Sequence, residues 1–302
     1  MKKLLLFSIL AALPLAVLWG QQDPMFTKYM FNSIAYNPAY AGSQGYWDVN
    51  ATFRKQWVGI EGAPATILAA TEGPVAADRV GLGFTVFHDQ LGVDRRIDLA
   101  GNYAYRIPLG NAKLAIGLKS GVALFQTDFS QLDVDPGDPL YQQDASTANP
   151  YIGAGAYLNS ERYFVGFSAP TLVSIDLNGN DSIPAFLKNH LYFHAGGGIP
   201  LDAANMELRP SVLVSYQKAA PLQAHLSLTA LFNKIIALGV SYRTGDALNF
   251  NVVVYPQPRF RIGAAYDFTL SELRNQSTAT FELMVGYSFG NSLEKVESLR
   301  NL

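Results

Sequence analysis

The sequence predicts an all-β fold, a transmembrane outer-membrane β-barrel of about 14 antiparallel strands. Three observations point there: an export leader, a period-two alternation running from residue 46 to 289, and connections that alternate between short and long. Only 15% of the 302 residues are charged, against roughly a quarter in soluble domains. Aromatic residues make up 12% and there are 26 glycines, a mixture that suits strands with one apolar face, one polar face and tight turns.

Lys2 and Lys3 precede an apolar run from Leu4 to Trp19, the pattern of a secretory signal peptide. The run is shorter than the ~20 residues a spanning helix needs, so residues 1–20 are expected to be removed near Gly20–Gln21. Loss of the two lysines takes the basic count from 22 to 20 against 24 acids, a net charge of −4. No basic patch draws such a chain to nucleic acid. The chain has no cysteine, which excludes disulfide stapling, thiolate metal sites and cysteine nucleophiles.

Within Ile97–Ile107 the odd positions are Ile97, Leu99, Gly101, Tyr103, Tyr105 and Ile107, and the even ones include Asp98, Asn102 and Arg106. Leu208–Tyr216, Ala224–Phe232 and Phe281–Phe289 alternate likewise. Bounding such runs by Gly, Pro, Asn and Asp places strands at 46–57, 66–74, 80–88, 93–107, 113–125, 149–159 and 163–169. The second half adds 191–199, 206–216, 223–232, 235–243, 248–254, 259–267 and 278–289. A chain entering from the periplasm should have short even connections, and those near 75–79, 108–112, 160–162, 200–205, 233–234 and 255–258 are short. The odd connections include the long ones, 58–65, 126–148, 170–190 and 268–277, although those after His88 and Arg243 are short. Trp47 and Trp57, ten residues apart on one face of the first strand, would stand ~25 Å apart along the membrane normal, the height of an apolar band between aromatic girdles. Lys55 is the misfit on that face, read as snorkelling at the outer rim. The last strand ends on Tyr287 and Phe289, as a barrel-closing strand should.

Two pieces fall outside the barrel of residues 46–289: a periplasmic N-terminal segment, 21–45, and a short periplasmic tail, 290–302. The N-terminal segment carries Phe26, Tyr29, Met30, Phe31, Tyr36 and Tyr40 among Asn32, Asn37 and Pro38. Disordered leaders are poor in aromatics, so this segment is expected to plug the lumen or dock a periplasmic partner, with Phe26, Tyr29, Phe31, Asn37, Pro38 and Tyr40 as the candidate residues.

The rest of the sequence offers little chemistry. His88, His190, His194 and His225 lack metal spacing, and the Gly81, Gly153 and Gly196–Gly198 pieces open no phosphate-binding helix. Asp133, Asp135, Asp138 and Asp144 share a loop without the order of a calcium site. His225 and Ser227 share a strand face in a pattern resembling outer-membrane phospholipases, but no third partner is evident. No catalytic residue, metal or cofactor is expected.

The N-terminal segment also carries a resemblance. Gln22-Asp23-Pro24, Tyr29-Met30-Phe31-Asn32 and Tyr36-Asn37-Pro38-Ala39-Tyr40-Ala41-Gly42 resemble the start of PorP/SprF-type membrane proteins of type IX secretion. Further similar pieces follow in order: Arg54-Lys55-Gln56-Trp57, Gly62-Ala63-Pro64, Tyr103–Leu109, Ala220–Gln223, Tyr242–Ala247 and Tyr266–Leu273. The resemblance implies an outer-membrane accessory of type IX secretion. Such a protein would bind and help export or anchor a large secreted or cell-surface protein such as a gliding adhesin, or associate with periplasmic and lipoprotein components. It implies no catalysis. Trp57, Glu61, Pro64, Asp246, Ser271 and Glu272, in or beside the outer-loop pieces, are the candidate partner-binding residues. The rival reading is a passive porin for small solutes, whose lumen Ala100, Gly117 and Gly239 would leave open. In either case the surroundings are outer-membrane lipid.

Overall fold

The computed structural model describes residues 26–76, 79–131, 144–175, 189–201, 205–218, 220–277 and 279–290. The leader, the tail after Gly290 and Asp133, Asp135 and Asp138 lie outside these. The strands are β1 (Trp47–Lys55), β2 (Ala65–Val75), β3 (Val80–Leu91), β4 (Asp94–Leu109), β5 (Ala112–Thr127), β6 (Ala145–Ser160) and β7 (Tyr163–Ser174). There follow β8 (His190–Gly197), β9 (Ile199–Leu201), β10 (Met206–Gln217), β11 (Gln223–Phe232), β12 (Ile236–Arg243), β13 (Ala247–Gln257), β14 (Phe260–Thr269) and β15 (Ala279–Phe289).

Each strand pairs antiparallel with its neighbour, and β15 pairs back onto β1 from Trp47↔Phe289 to Lys55↔Phe281, so the sheet is a closed ring. β8 and β9 both pair with β10 and form one interrupted stave, which makes this a barrel of 14 staves. Closure follows from the solvent: in hydrocarbon no water satisfies an open edge.

Each strand's alternation sets an apolar face outward and a polar face inward. Val49, Phe53, Ile116, Leu118, Phe167, Leu226 and Leu283 are exposed, whereas Arg54, Glu72, His225, Arg243 and Glu282 are at most 2% exposed. A soluble protein has the opposite arrangement. Trp47 stacks on Phe289 at 6.3 Å, and Phe289 on Tyr287 at 6.4 Å, a run of aromatics at the short-turn end of the seam.

The turns explain themselves locally. Asn233 and Lys234 both have positive φ (52° and 57°), and Ile235 N–H donates to Phe232 O, a tight primed-type hairpin turn. Two expectations change. β1 stops at Lys55, because Trp57 takes φ 45° and donates its N–H to Thr280 Oγ1 at 3.1 Å. Trp57 therefore belongs to the β1–β2 loop and does not mark an outer girdle on β1, where Lys55 Nζ donates to Ala63 O. β7, expected to end at Ala169, runs on to Ser174. Pro170 sits where the β6–β7 register shifts, with its carbonyl lying over Gly153, and a bulge tolerates proline inside a strand.

Candidate functional site

Residues 26–45 lie inside the ring. They form a short 3-10 turn (Tyr29–Asn32), one helical turn (Ser33–Tyr36) and a second 3-10 turn (Pro38–Tyr40). Asn37 caps that last turn: its Oδ1 accepts Ala39 N–H, and Pro38 occupies the position where no donor is needed. Phe26, Tyr29, Phe31, Asn37, Pro38 and Tyr40 are all buried. Tyr29 OH donates to Ser211 Oγ on β10, Asn37 Nδ2 to Ala156 O on β6, and Ser168 Oγ on β7 to Tyr36 O. Phe26, Tyr29, Met30 and Tyr36 pack on Leu68, Tyr192 and Leu213, while Phe31 packs on Leu231, Val253 and Met284 across the ring. Groups from opposite walls thus close on a single segment.

The wall is shaped for it. Ile34, Ala39, Tyr40 and Ala41 press on Ala70, Ala104 and Ala115, and a Cβ at Gly117 would stand 2.2 Å from Ala39 N. A Cβ at Gly81 would stand 1.8 Å from Ala41 O. Gly117, one of the small residues taken to leave a lumen open, is therefore where the segment passes. Gly239 is covered by Asn251, and Ala100 packs with Ala123 and Tyr151.

The segment is fixed at its N-terminal end by a buried charge cluster. Arg54 Nη1 pairs with Glu282 Oε1 at 2.5 Å and Asp267 Oδ2 at 2.9 Å, and Arg243 Nη1 with Asp246 Oδ2 at 2.8 Å and Asp267 Oδ2 at 3.4 Å. Thr27 and Lys28 donate their backbone N–H groups to the two oxygens of Glu282, at 2.6 and 3.2 Å. Thr27 Oγ1 donates to Asp267 Oδ1 at 2.6 Å and accepts from Arg243 Nη2. Burial lowers the Lys28 ammonium from its ordinary 10.5 to about 8, and the attraction of Glu282 and Asp267 offsets only part of that. At the short-turn end Arg261 grips Asp48 with both terminal nitrogens, at 2.5 and 2.7 Å, and Gly42 N–H donates to the Glu72 carboxylate.

The six candidate partner-binding residues come together on one sector of the long-loop rim, since β12 to β15 are followed round the ring by β1 and β2. Val58 N–H donates to Ala279 O, and Ser277 Oγ to Val58 O, tying the β1–β2 loop to β15. Leu270 and Ser271 N–H groups both donate to Asp246 O, joining the next two loops. Glu61 and Glu272 are exposed, Trp57, Asp246 and Ser271 half-buried, and Pro64 buried with its carbonyl on Gln56 N–H. Pro64 and Asp246 thus hold loops in place.

The remaining candidates are quieter. His225 and Ser227 face inward, but the ring Nε2 shares a hydrogen bond with Ser241 Oγ at 2.9 Å, under the Tyr29 ring. Asp144 accepts from Ser130 N–H and Oγ. Among the described residues no group of His, Cys, Asp or Glu is placed to hold a metal ion. Residue-by-residue reading missed the Arg54–Asp267–Glu282–Arg243 cluster. Its signal was present: charged residues on the inward positions of otherwise apolar strands.

An apolar outer wall around a polar, occupied interior defines the class, an outer-membrane β-barrel. The chain belongs to the family described as type IX secretion system membrane protein PorP/SprF, whose model matches residues 19–287. It is thus a membrane component of type IX secretion, and family and fold are those of a secretion or transport barrel. Among solved structures it is similar to the CymD monoaromatic hydrocarbon channel, at 12% identity and TM-score 0.53, covering 89% of this chain and 94% of that one. It is also similar to the Ralstonia pickettii toluene transporter TbuX, at 11% identity and TM-score 0.50, covering 88% and 94%. At such identities the likeness is one of fold alone. Direct comparison with curated proteins finds no match.

Three outcomes follow. Glu282→Ala leaves Arg54 short of a partner and frees two backbone donors, and should lower barrel stability by about 3–5 kcal/mol in denaturant titrations read by heat-modifiable mobility. Gly117→Val should expel residues 26–45, so that protease cuts there while the barrel keeps its heat-modifiable form. The released Lys28 keeps its proton up to 10.5 and the seated one only to about 8, so seating releases a proton between those values. Protease resistance of the segment should rise with pH over that window, and Lys28→Met should abolish the rise.

Proposed function

We propose that this protein is a type IX secretion accessory that grips a large secreted or cell-surface protein, of the kind a gliding adhesin represents, on the long-loop rim. Residues 26–45 act as a plug that closes the lumen. The observation that carries this reading is the join between the β1–β2, β12–β13 and β14–β15 loops, which makes one platform presenting Trp57, Glu61 and Glu272. Exposed residues on loops held by a rigid scaffold are where recognition concentrates. In this reading the platform faces outward, the short turns face the periplasm, and periplasmic ring or lipoprotein components meet the barrel there. A passive porin needs a clear lumen, and the buried aromatics of the N-terminal segment support the plugged alternative. That a similar structure is a hydrocarbon channel is a property of that protein, and at 12% identity the likeness bears on fold only.

The test is a mild-detergent pull-down of the tagged protein from native outer membranes, read by mass spectrometry. One large secreted protein, or periplasmic secretion components, should co-purify. Glu61→Lys with Glu272→Lys should cut recovery of the secreted protein at least tenfold at unchanged barrel yield. Recovery of the barrel alone, with steady single-channel conductance in a planar bilayer, would replace this reading with the porin.

A further inference from the structure

The luminal segment is anchored at two heights of the barrel. At its amino end Thr27 is held by Arg54, Asp267, Glu282 and Arg243. All four lie at the long-loop ends of their strands: β1 ends at Lys55, β12 at Arg243 and β14 at Thr269, and β15 starts at Ala279. Phe26 joins Leu68, Tyr192 and Leu213, again toward the long-loop ends of β2, β8 and β10. At the other end Gly42 N–H donates to Glu72, and Ala41 O lies over Gly81, beside the short turn that joins β2 to β3. Asp48 pairs in register with Glu72, and Arg54 stands six residues further along β1. At about 3.3 Å per residue the two anchors are ~20 Å apart along the strand.

The space between the anchors is taken by the segment itself. Tyr29 bonds to Ser211 on one wall, and Phe31 packs on Leu231, Val253 and Met284 on another. Asn37, Ala39 and Ala41 then follow one ladder row, Gly155↔Gly117↔Ala104↔Gly81, where a Cβ on any of the three glycines would stand 2.2 Å or less from them. The upper anchor, in turn, touches the rim. Arg243, which donates to Thr27 Oγ1, also pairs with Asp246 of the β12–β13 loop, whose carbonyl receives the Leu270 and Ser271 N–H groups. One guanidinium thus joins Thr27 to the loops of the long-loop platform.

We propose that the segment is threaded with its amino end outward, so that the residues preceding Phe26 leave the lumen at the long-loop mouth. There they form a fourth part of the platform, beside the β12–β13 and β14–β15 loops. A secreted partner held on this rim meets a stretch of chain rising from the lumen as well as three loops. That the long-loop mouth lies outside the cell rests on the function proposed above, whereas the direction of threading does not.

The chain has no cysteine, so an introduced pair supplies the only thiols. Glu272 and Arg259 are both exposed and flank β14 at its long-loop and short-turn ends. Asp23 precedes Thr27 by four residues, a reach of at most ~14 Å. In full-length protein in non-ionic detergent, a short bis-maleimide should link Asp23→Cys to Glu272→Cys at least tenfold faster than to Arg259→Cys, in chains that keep heat-modifiable mobility. Linking to Arg259→Cys at an equal or greater rate, or to neither, would overturn the proposal. The second measurement uses single-cysteine proteins in intact cells and a maleimide on a polymer too large for porins. It should label Asp23→Cys and Glu272→Cys, and reach Arg259→Cys only after the outer membrane is opened. Labelling of Glu272→Cys without Asp23→Cys would also overturn the proposal. Labelling of Arg259→Cys in place of the other two would support the threading and overturn the outward-facing platform.

Discussion

A chain immersed in hydrocarbon has nowhere to send an unpaired backbone donor except to itself. Every other feature of this protein is built on that constraint. It forces the last strand back onto the first, and the seam runs unbroken from Trp47↔Phe289 to Lys55↔Phe281. It also turns the usual protein inside out, because the face toward lipid must be apolar and the polar residues have only the interior left. A ring of 14 staves leaves an interior too wide for its own side chains to fill. The N-terminal segment supplies the missing volume, with aromatics against aliphatics and its backbone N–H groups on carboxylates from the wall.

The interior is neutralised locally. Arg54, Arg243 and Lys28 meet Asp246, Asp267 and Glu282 at one level of the barrel, and Arg261 meets Asp48 near the other end. Such pairs add little stability by themselves, but each makes the others necessary, since removing one partner strands a buried charge. Their value is positional. Two of the carboxylates also hold Thr27 and Lys28, so the segment is located by atoms belonging to β14 and β15 as well as by packing.

Most of the architecture was legible in the sequence because period-two alternation is a direct image of a wall with lipid on one side. Staves such as Gln223–Phe232 and Met206–Gln217 fall within a residue of their expected limits. Limits failed where alternation is not required. Ala145–Ala148 extends β6 with no apolar face, and Trp57 leaves β1 through a left-handed turn that nothing in the run Arg54-Lys55-Gln56-Trp57 announces. The site was legible in part. Aromatic density marked residues 26–40, and shared motifs marked the loops that meet at the rim. Which inward charges pair could not be read, because Arg54 and Glu282 are 228 residues apart and become neighbours only when the ring closes.

That separation has a consequence for biogenesis. The luminal segment immediately precedes β1, so it is translated before any stave, but the carboxylate that receives Thr27 and Lys28 belongs to β15, the last stave made. The contacts of Thr27 and Lys28 with Glu282 have to wait for the last stave, whereas the segment's contacts with Ala156, Ser168 and Ser211 involve strands made earlier. A chain that lacks β15 therefore leaves Thr27 and Lys28 without their carboxylate, and its luminal segment is held less firmly than that of a finished barrel.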